Sequence, residues 1–217
     1  MDVFSAMTLR RSVRAYLNRP VSRADIEDIL EYAGKAPSAI NIQPWEYVIV
    51  YGEEKDRLVR RLKKARAESK VSCGPDTENP LPDRFKNRSR RASAVMAPKI
   101  AEMGKKFNPF VEEGSCSFYG APIAIIVTID RIFPKIRYLD VGLSVSYLLL
   151  AAQAKGLATC PIGLISAYAQ DITDALDIPP TKEVILGIAL GYADPQSPIN
   201  QFKTGRENLN AYLRWYE

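Results

Sequence analysis

"LRRSVRAY", residues 9–16, and "APSAINIQPW", residues 36–45, decide how this chain is read. The first stretch gathers Arg10, Arg11 and Arg14 around the hydroxyl of Ser12. Three guanidiniums in five residues are by themselves no more than a solvated cluster. Ser12 adds a hydroxyl, and "KTGR", far down the chain, adds Lys203 and Arg206. Together they form a donor set suited to a phosphate monoester, which carries about −1.5 to −2 charges near neutral pH. Forked guanidiniums can take its oxygens in pairs. No G-x-x-x-x-G-K or G-x-G-x-x-G loop is present, so neither a P-loop nucleotide nor a Rossmann dinucleotide is the expected guest. The second stretch sets Ser38, Asn41 and Gln43 between Pro37 and Pro44, the composition of a turn that fixes its own backbone.

Between and beyond these stretches the apolar pattern marks the elements. "SRADIEDILEYAGKAPS" reads as a helix: Ser22 caps it, Asp25 sits three residues on, and Ile26, Ile29, Leu30 and Ala33 share a face before Pro37 ends it. "EYVIVYG" follows as a strand covered on both faces. Residues 54–70 make a second helix with Leu58 and Leu62 inward. From 71 to 117 the periodicity lapses, and Pro75, Pro80, Pro82 and Pro98 argue for a loop with one or two short helices, the composition of a lid or insertion. "APIAIIVTID" and "KEVILGIALGY" read as buried strands, with "LATCPIGLI" a turn-rich segment between them. "VGLSVSYLLLAAQAKG" is a helix apolar nearly all round, with Gly156 as its C-terminal stop. The arm from about 198 to 217 ends in bulky aromatics, which are expected to dock on a second subunit. Interleaved strands and helices indicate an α/β or α+β class and a single domain over residues 1–217.

Composition narrows the chemistry. The chain contains no histidine, which removes every Ser–His or Cys–His nucleophile pair and points to a cofactor for the hard chemistry. Cys73, Cys116 and Cys160 are odd in number and outside CxxC spacing, so idle thiols are expected rather than a disulfide or a metal site. No apolar run approaches the roughly 18–20 residues of a membrane span, and the start of the chain lacks a signal-peptide layout; a cytoplasmic location without membrane contact is the expectation. The net charge of +5 is concentrated in residues 55–106, which hold 16 Lys and Arg against 6 Asp and Glu. A solvated face accounts for this. A basic nucleic-acid-binding module is the alternative, but interleaved aromatics and a recognised spacing are missing.

The order of "RRSVR", a capped helix and "APSAINIQPW" leading into a strand resembles the opening of the FMN-dependent nitroreductase family, which includes flavin reductases and iodotyrosine deiodinases. "GAPIAIIVTID", "LLLAAQAKGLATCPIG", "VILGIALGYAD" and "KTGRENL" follow in that family's order. The resemblance implies an α+β fold of three α/β/α layers around a mostly antiparallel sheet, and a homodimer with FMN at the subunit interfaces. It implies that Arg10, Ser12, Arg14 and Arg206 hold the phosphate and ribityl chain, with Arg11 contributing backbone and Lys203 nearby. Pro37, Ser38, Ala39 and Asn41 would reach the flavin of the other subunit, and Pro161, Ile162 and Gly163 would line its reactive edge. Asp140 would stand near the pyrimidine edge. The implied activity is ping-pong transfer of reducing equivalents from NADH or NADPH, through FMN, to a small organic acceptor such as a nitroaromatic, quinone or flavin. A flavin-binding sensor or storage protein with little turnover is the alternative within the same resemblance.

Overall fold

The computed structural model describes residues 1–69 and 80–217. Four strands, β1 (Trp45–Tyr51), β2 (Ile123–Asp130), β3 (Ala158–Ile162) and β4 (Lys182–Gly191), form one sheet in the order β1-β2-β4-β3, every neighbouring pair antiparallel. Seven α-helices accompany it among the described residues: α1 (Val3–Leu9), α2 (Arg23–Gly34), α3 (Gly52–Ser69), α4 (Asp83–Glu102), α5 (Phe107–Cys116), α6 (Tyr138–Ala154) and α7 (Ala169–Leu176). None of them is long and apolar enough to cross a membrane.

The layers follow from the two-residue period of the strands. In β2, Ile125, Val127 and Ile129 face one side and pack with Ile26, Ile29 and Ala33 of α2 and with Val141, Val145 and Leu148 of α6. Ala124 and Ile126 face the other side, into a core containing Leu58 and Leu62 of α3, Ile172 of α7, and Phe118 and Ile165 from the connecting turns. Both faces of β2 are thus covered, and its continuous apolar run needs no polar alternation. The Ser22 hydroxyl accepts from the Asp25 N–H at 3.0 Å, as the cap pattern predicts. Gly156, at φ +75°, follows α6 in the left-handed conformation that stops a helix.

Three expectations are corrected. Within 71–117, where loop with one or two short helices is expected, residues 83–102 form a long, 20-residue helix. Pro82 precedes its first turn and Pro98 lies inside it, costing one backbone hydrogen bond, while the run rich in alanine and arginine before Pro98 favours helix. Residues 157–165 hold a strand, β3, rather than turns alone; its Pro161 is tolerated because β3 ends the four-stranded sheet and the short Ser12–Val13 segment on its outer edge pairs at Thr159, short of the proline. β1 is likewise an edge strand, exposed at Glu46 and Tyr51 rather than covered throughout. α1 and α7, whose patterns are short, were not anticipated. Cys73, Pro75 and Lys70 lie outside the described residues.

The segment after α1 decides where the arginines go. Val13 donates its N–H to the Thr159 carbonyl at 2.9 Å, and Ser12 bridges Thr159 in parallel fashion, so residues 12–13 add to the free edge of β3. Further on, Leu17 donates to Tyr192 O at 2.9 Å. Asn200, 3% exposed, clamps this arm to the C-terminal one. Its Oδ1 accepts from Arg14 N at 3.0 Å, and its Nδ2 donates to Ala15 O at 2.8 Å and Asp194 O at 2.9 Å.

Two substitutions test this architecture. Leu62→Ala empties a fully buried position and is expected to cost about 2–5 kcal/mol in urea unfolding. Asn200→Ala strands buried backbone groups and is expected to cost about 1–3 kcal/mol in the same measurement.

Candidate functional site

The clamp brings the N-terminal arginines and the C-terminal cations to one place. A cavity of about 390 Å³ is lined by Arg10, Arg11, Ser12 and Arg14 from one arm and by Asn200, Phe202, Lys203, Thr204 and Arg206 from the other. Met7, Thr8 and Leu9 at the end of α1 complete its wall. Among the described residues none of these five cations forms an ion pair with a carboxylate, although Glu207 is engaged right beside Arg206. The Arg206 Nη1 instead donates into its own arm, to Thr204 Oγ1 and Gly205 O, both at 3.1 Å. Arg14 Nε is buried with no hydrogen-bond partner, while its guanidinium lies 5.7 Å from the centroid of the Tyr119 ring. Concentrated positive charge and an unsatisfied buried donor are the features of a site built for an anion.

Below the arm, burial pushes the Cys160 thiol up, against the pull of Arg14 and of a hydrogen bond with Ser12. Cys116, in the core, is raised to about 11, chiefly by burial. Both are neutral thiols at physiological pH, as the reading of idle cysteines requires. Burial likewise raises the Tyr16 and Tyr119 phenols, which remain protonated beside Arg14.

The other sequence-derived residues lie in three separate places. Pro161 and Ile162 pair with Ile188 and Gly187 in the sheet, and Gly163 opens the turn that follows. Ser12 pairs with Thr159, so Pro161 begins roughly 7 Å further along the same strand. Pro37, Ser38, Ala39 and Asn41 belong to a projecting loop outside the cavity. There the Ser38 hydroxyl accepts from Gln43 N at 3.0 Å, and the Gln43 amide donates to Asn41 Oδ1 at 2.9 Å. Gln43 thus braces the loop. Ile40, Asn41 and Gln43 all have positive φ (45°, 60° and 52°), and Ile40 is 93% exposed. A β-branched residue in that conformation is strained. Asp140 is buried in the first turn of α6, where it pairs with Arg137 at 3.0 Å and takes no part in the cavity. Thr204, Phe202 and Asn200 were missed by sequence reasoning; for Thr204 the only signal was its place between Lys203 and Arg206.

With the geometry in place, comparison with known proteins is informative. The model of the Nitroreductase family matches residues 7–192. A 4-nitrobenzoate reductase of Pseudomonas putida is 31% identical over 216 residues, covering 99% of this chain and 95% of the relative. A 4-nitrobenzoate reductase of a Nocardioides species is 30% identical over 223 residues, covering 98% and 90%. Among solved structures, the FMN-dependent nitroreductase NfnB of Mycobacterium smegmatis, in complex with NADPH, superposes with a TM-score of 0.87 at 28% identity over 100% of both chains. The antiparallel three-layer fold, the paired arms and these matches agree: the chain is an enzyme of the nitroreductase family.

Proposed function

We propose that the cavity between the two arms holds the phosphate of FMN and that the protein reduces nitroaromatic compounds at the expense of NADPH. The observation that carries this reading is the set of five cations lacking carboxylate partners among the described residues, together with the unpartnered Arg14 Nε. FMN meets both needs, its phosphate by charge and its ribityl oxygens as acceptors. The 4-nitrobenzoate reductases and the NADPH-bound FMN-dependent nitroreductase among its relatives support the choice of cofactor, donor and acceptor.

Arg10, Lys203 and Arg206 would neutralise the phosphate, and the Ser12 hydroxyl and Arg14 would take oxygens beyond it. Pro161, Ile162 and Gly163, further along the strand that seats Ser12, would form the wall at the ring end. The chemistry supplied by the bound group is transfer of reducing equivalents from NADPH to the acceptor in ping-pong order. The protein's own part is positioning and electrostatics, for which no histidine is required. The exposed, strained Ile40 and the projecting 37–41 loop support a homodimer in which this loop reaches the partner's site. The exposure of Tyr212, Trp215 and Tyr216 (69%, 80% and 94%) supports the same assembly.

Purified protein is expected to show twin visible flavin bands that bleach anaerobically with NADPH and return with 4-nitrobenzoate; a colourless protein that takes up no FMN would overturn the assignment. Arg10→Ala and Arg206→Ala are each expected to weaken FMN binding about tenfold or more, read by fluorescence titration, while riboflavin binding changes little. Because both described thiols are buried and protonated, Cys73→Ser protein is expected to keep its NADPH oxidation after treatment with a thiol reagent at pH 7.

A further inference from the structure

α4 contributes no side chain to the FMN cavity, yet the arm that does contribute is tied to it at two points. At the root of the arm, Ile199 is buried with Ile100 of α4 and Phe110 of α5, and Phe202 and Met96 pack against them. Five residues further on, the Glu207 carboxylate meets two guanidiniums of α4: Arg91, with a hydrogen bond, and Arg88 at 3.5 Å. Lys203, Thr204 and Arg206 lie between these two ties. A second cavity, about 1030 Å³, separates the helix from the arm along this stretch; it is lined by Arg88, Arg91, Ala92 and Val95 on one side and by residues 204–208 and Tyr212 on the other. The arm therefore bridges open space and has no regular secondary structure over residues 201–208. Without a fixed far end, the side chains between the ties would be free to swing.

We propose that Glu207 is the positioning residue for the phosphate end of the site, latching the C-terminal arm to Arg88 and Arg91 so that Lys203 and Arg206 stay aimed at the cofactor. The inference rests on the FMN reading of the cavity. It also gives the basic face of α4 a role, as a two-pronged holder for a single carboxylate. An exposed ion pair adds little to overall stability. What this one sets is the population of arm conformations in which both cations converge, and phosphate affinity scales with that population.

Electrostatics makes the test decisive. Glu207 is an anion next to Arg206 that repels a bound phosphate, so by Coulomb's law alone its removal should strengthen phosphate binding. The latch predicts the opposite sign. In Glu207→Gln, FMN is expected to bind about two- to fivefold more weakly than in the wild type, with riboflavin affinity unchanged. The gap between variant and wild type should narrow as salt rises from low to high ionic strength, because the wild-type latch is itself screened. FMN affinity that is unchanged or improved in Glu207→Gln would overturn the latch, and so would an equal loss of FMN and riboflavin. Wild-type protein that binds neither flavin would instead bring down the reading of the cavity, which separates the two failures.

Discussion

One amide side chain decides whether this protein has a site. Asn200 accepts from Arg14 N and donates to two carbonyls, Ala15 and Asp194, inside a closed environment. A buried amide must satisfy its donors and acceptor together, so the two arms meet in one register only. The edge of β3 provides the seat. Open sheet edges invite pairing with foreign strands, and the Ser12–Val13 segment occupies part of this one. Protection of the edge and presentation of the arginines are the same contact.

The cavity gathers like charges with no carboxylate among its lining residues. Such a gathering repels itself in the absence of an anion, so part of the folding free energy is spent holding it together. A bound anion reverses the account: any ligand specific to the folded form stabilises it by mass action. Five cations without carboxylate partners among the described residues are tolerable where a counter-charge arrives from outside.

Much of this was legible in the sequence, for identifiable physical reasons. α2 declared itself because Ser22, Asp25 and an apolar stripe agree locally. β2 and β4 are apolar enough to be buried whatever their neighbours. The chemistry-bearing arms were legible as motifs, but not the atom that joins them: Asn200 lies 186 residues from Arg14, and nothing local marks it. α4 was obscured by Pro98, because a proline breaks an isolated helix while a packed one tolerates the lost bond. β3 was obscured by Pro161 and by its length of five residues, too short for a period to declare itself. Asp140 stands apart from the arms, buried at the start of α6 with its carboxylate held by Arg137.

The separation between the arms bears on how the chain is made. The β-strands pair only across long intervals of sequence, β1 with β2 and then β2 with β4, so loop closure precedes most of their stabilisation. On the ribosome, Asn200 and Arg206 follow the three arginines only after some 190 further residues. At roughly 5–20 residues per second, that interval lasts on the order of ten seconds or more. The cavity cannot exist during that time. Occupancy of the cavity accordingly waits until the second arm has been made, and the exposed cationic segment must stay soluble on its charge alone until its distant partner arrives.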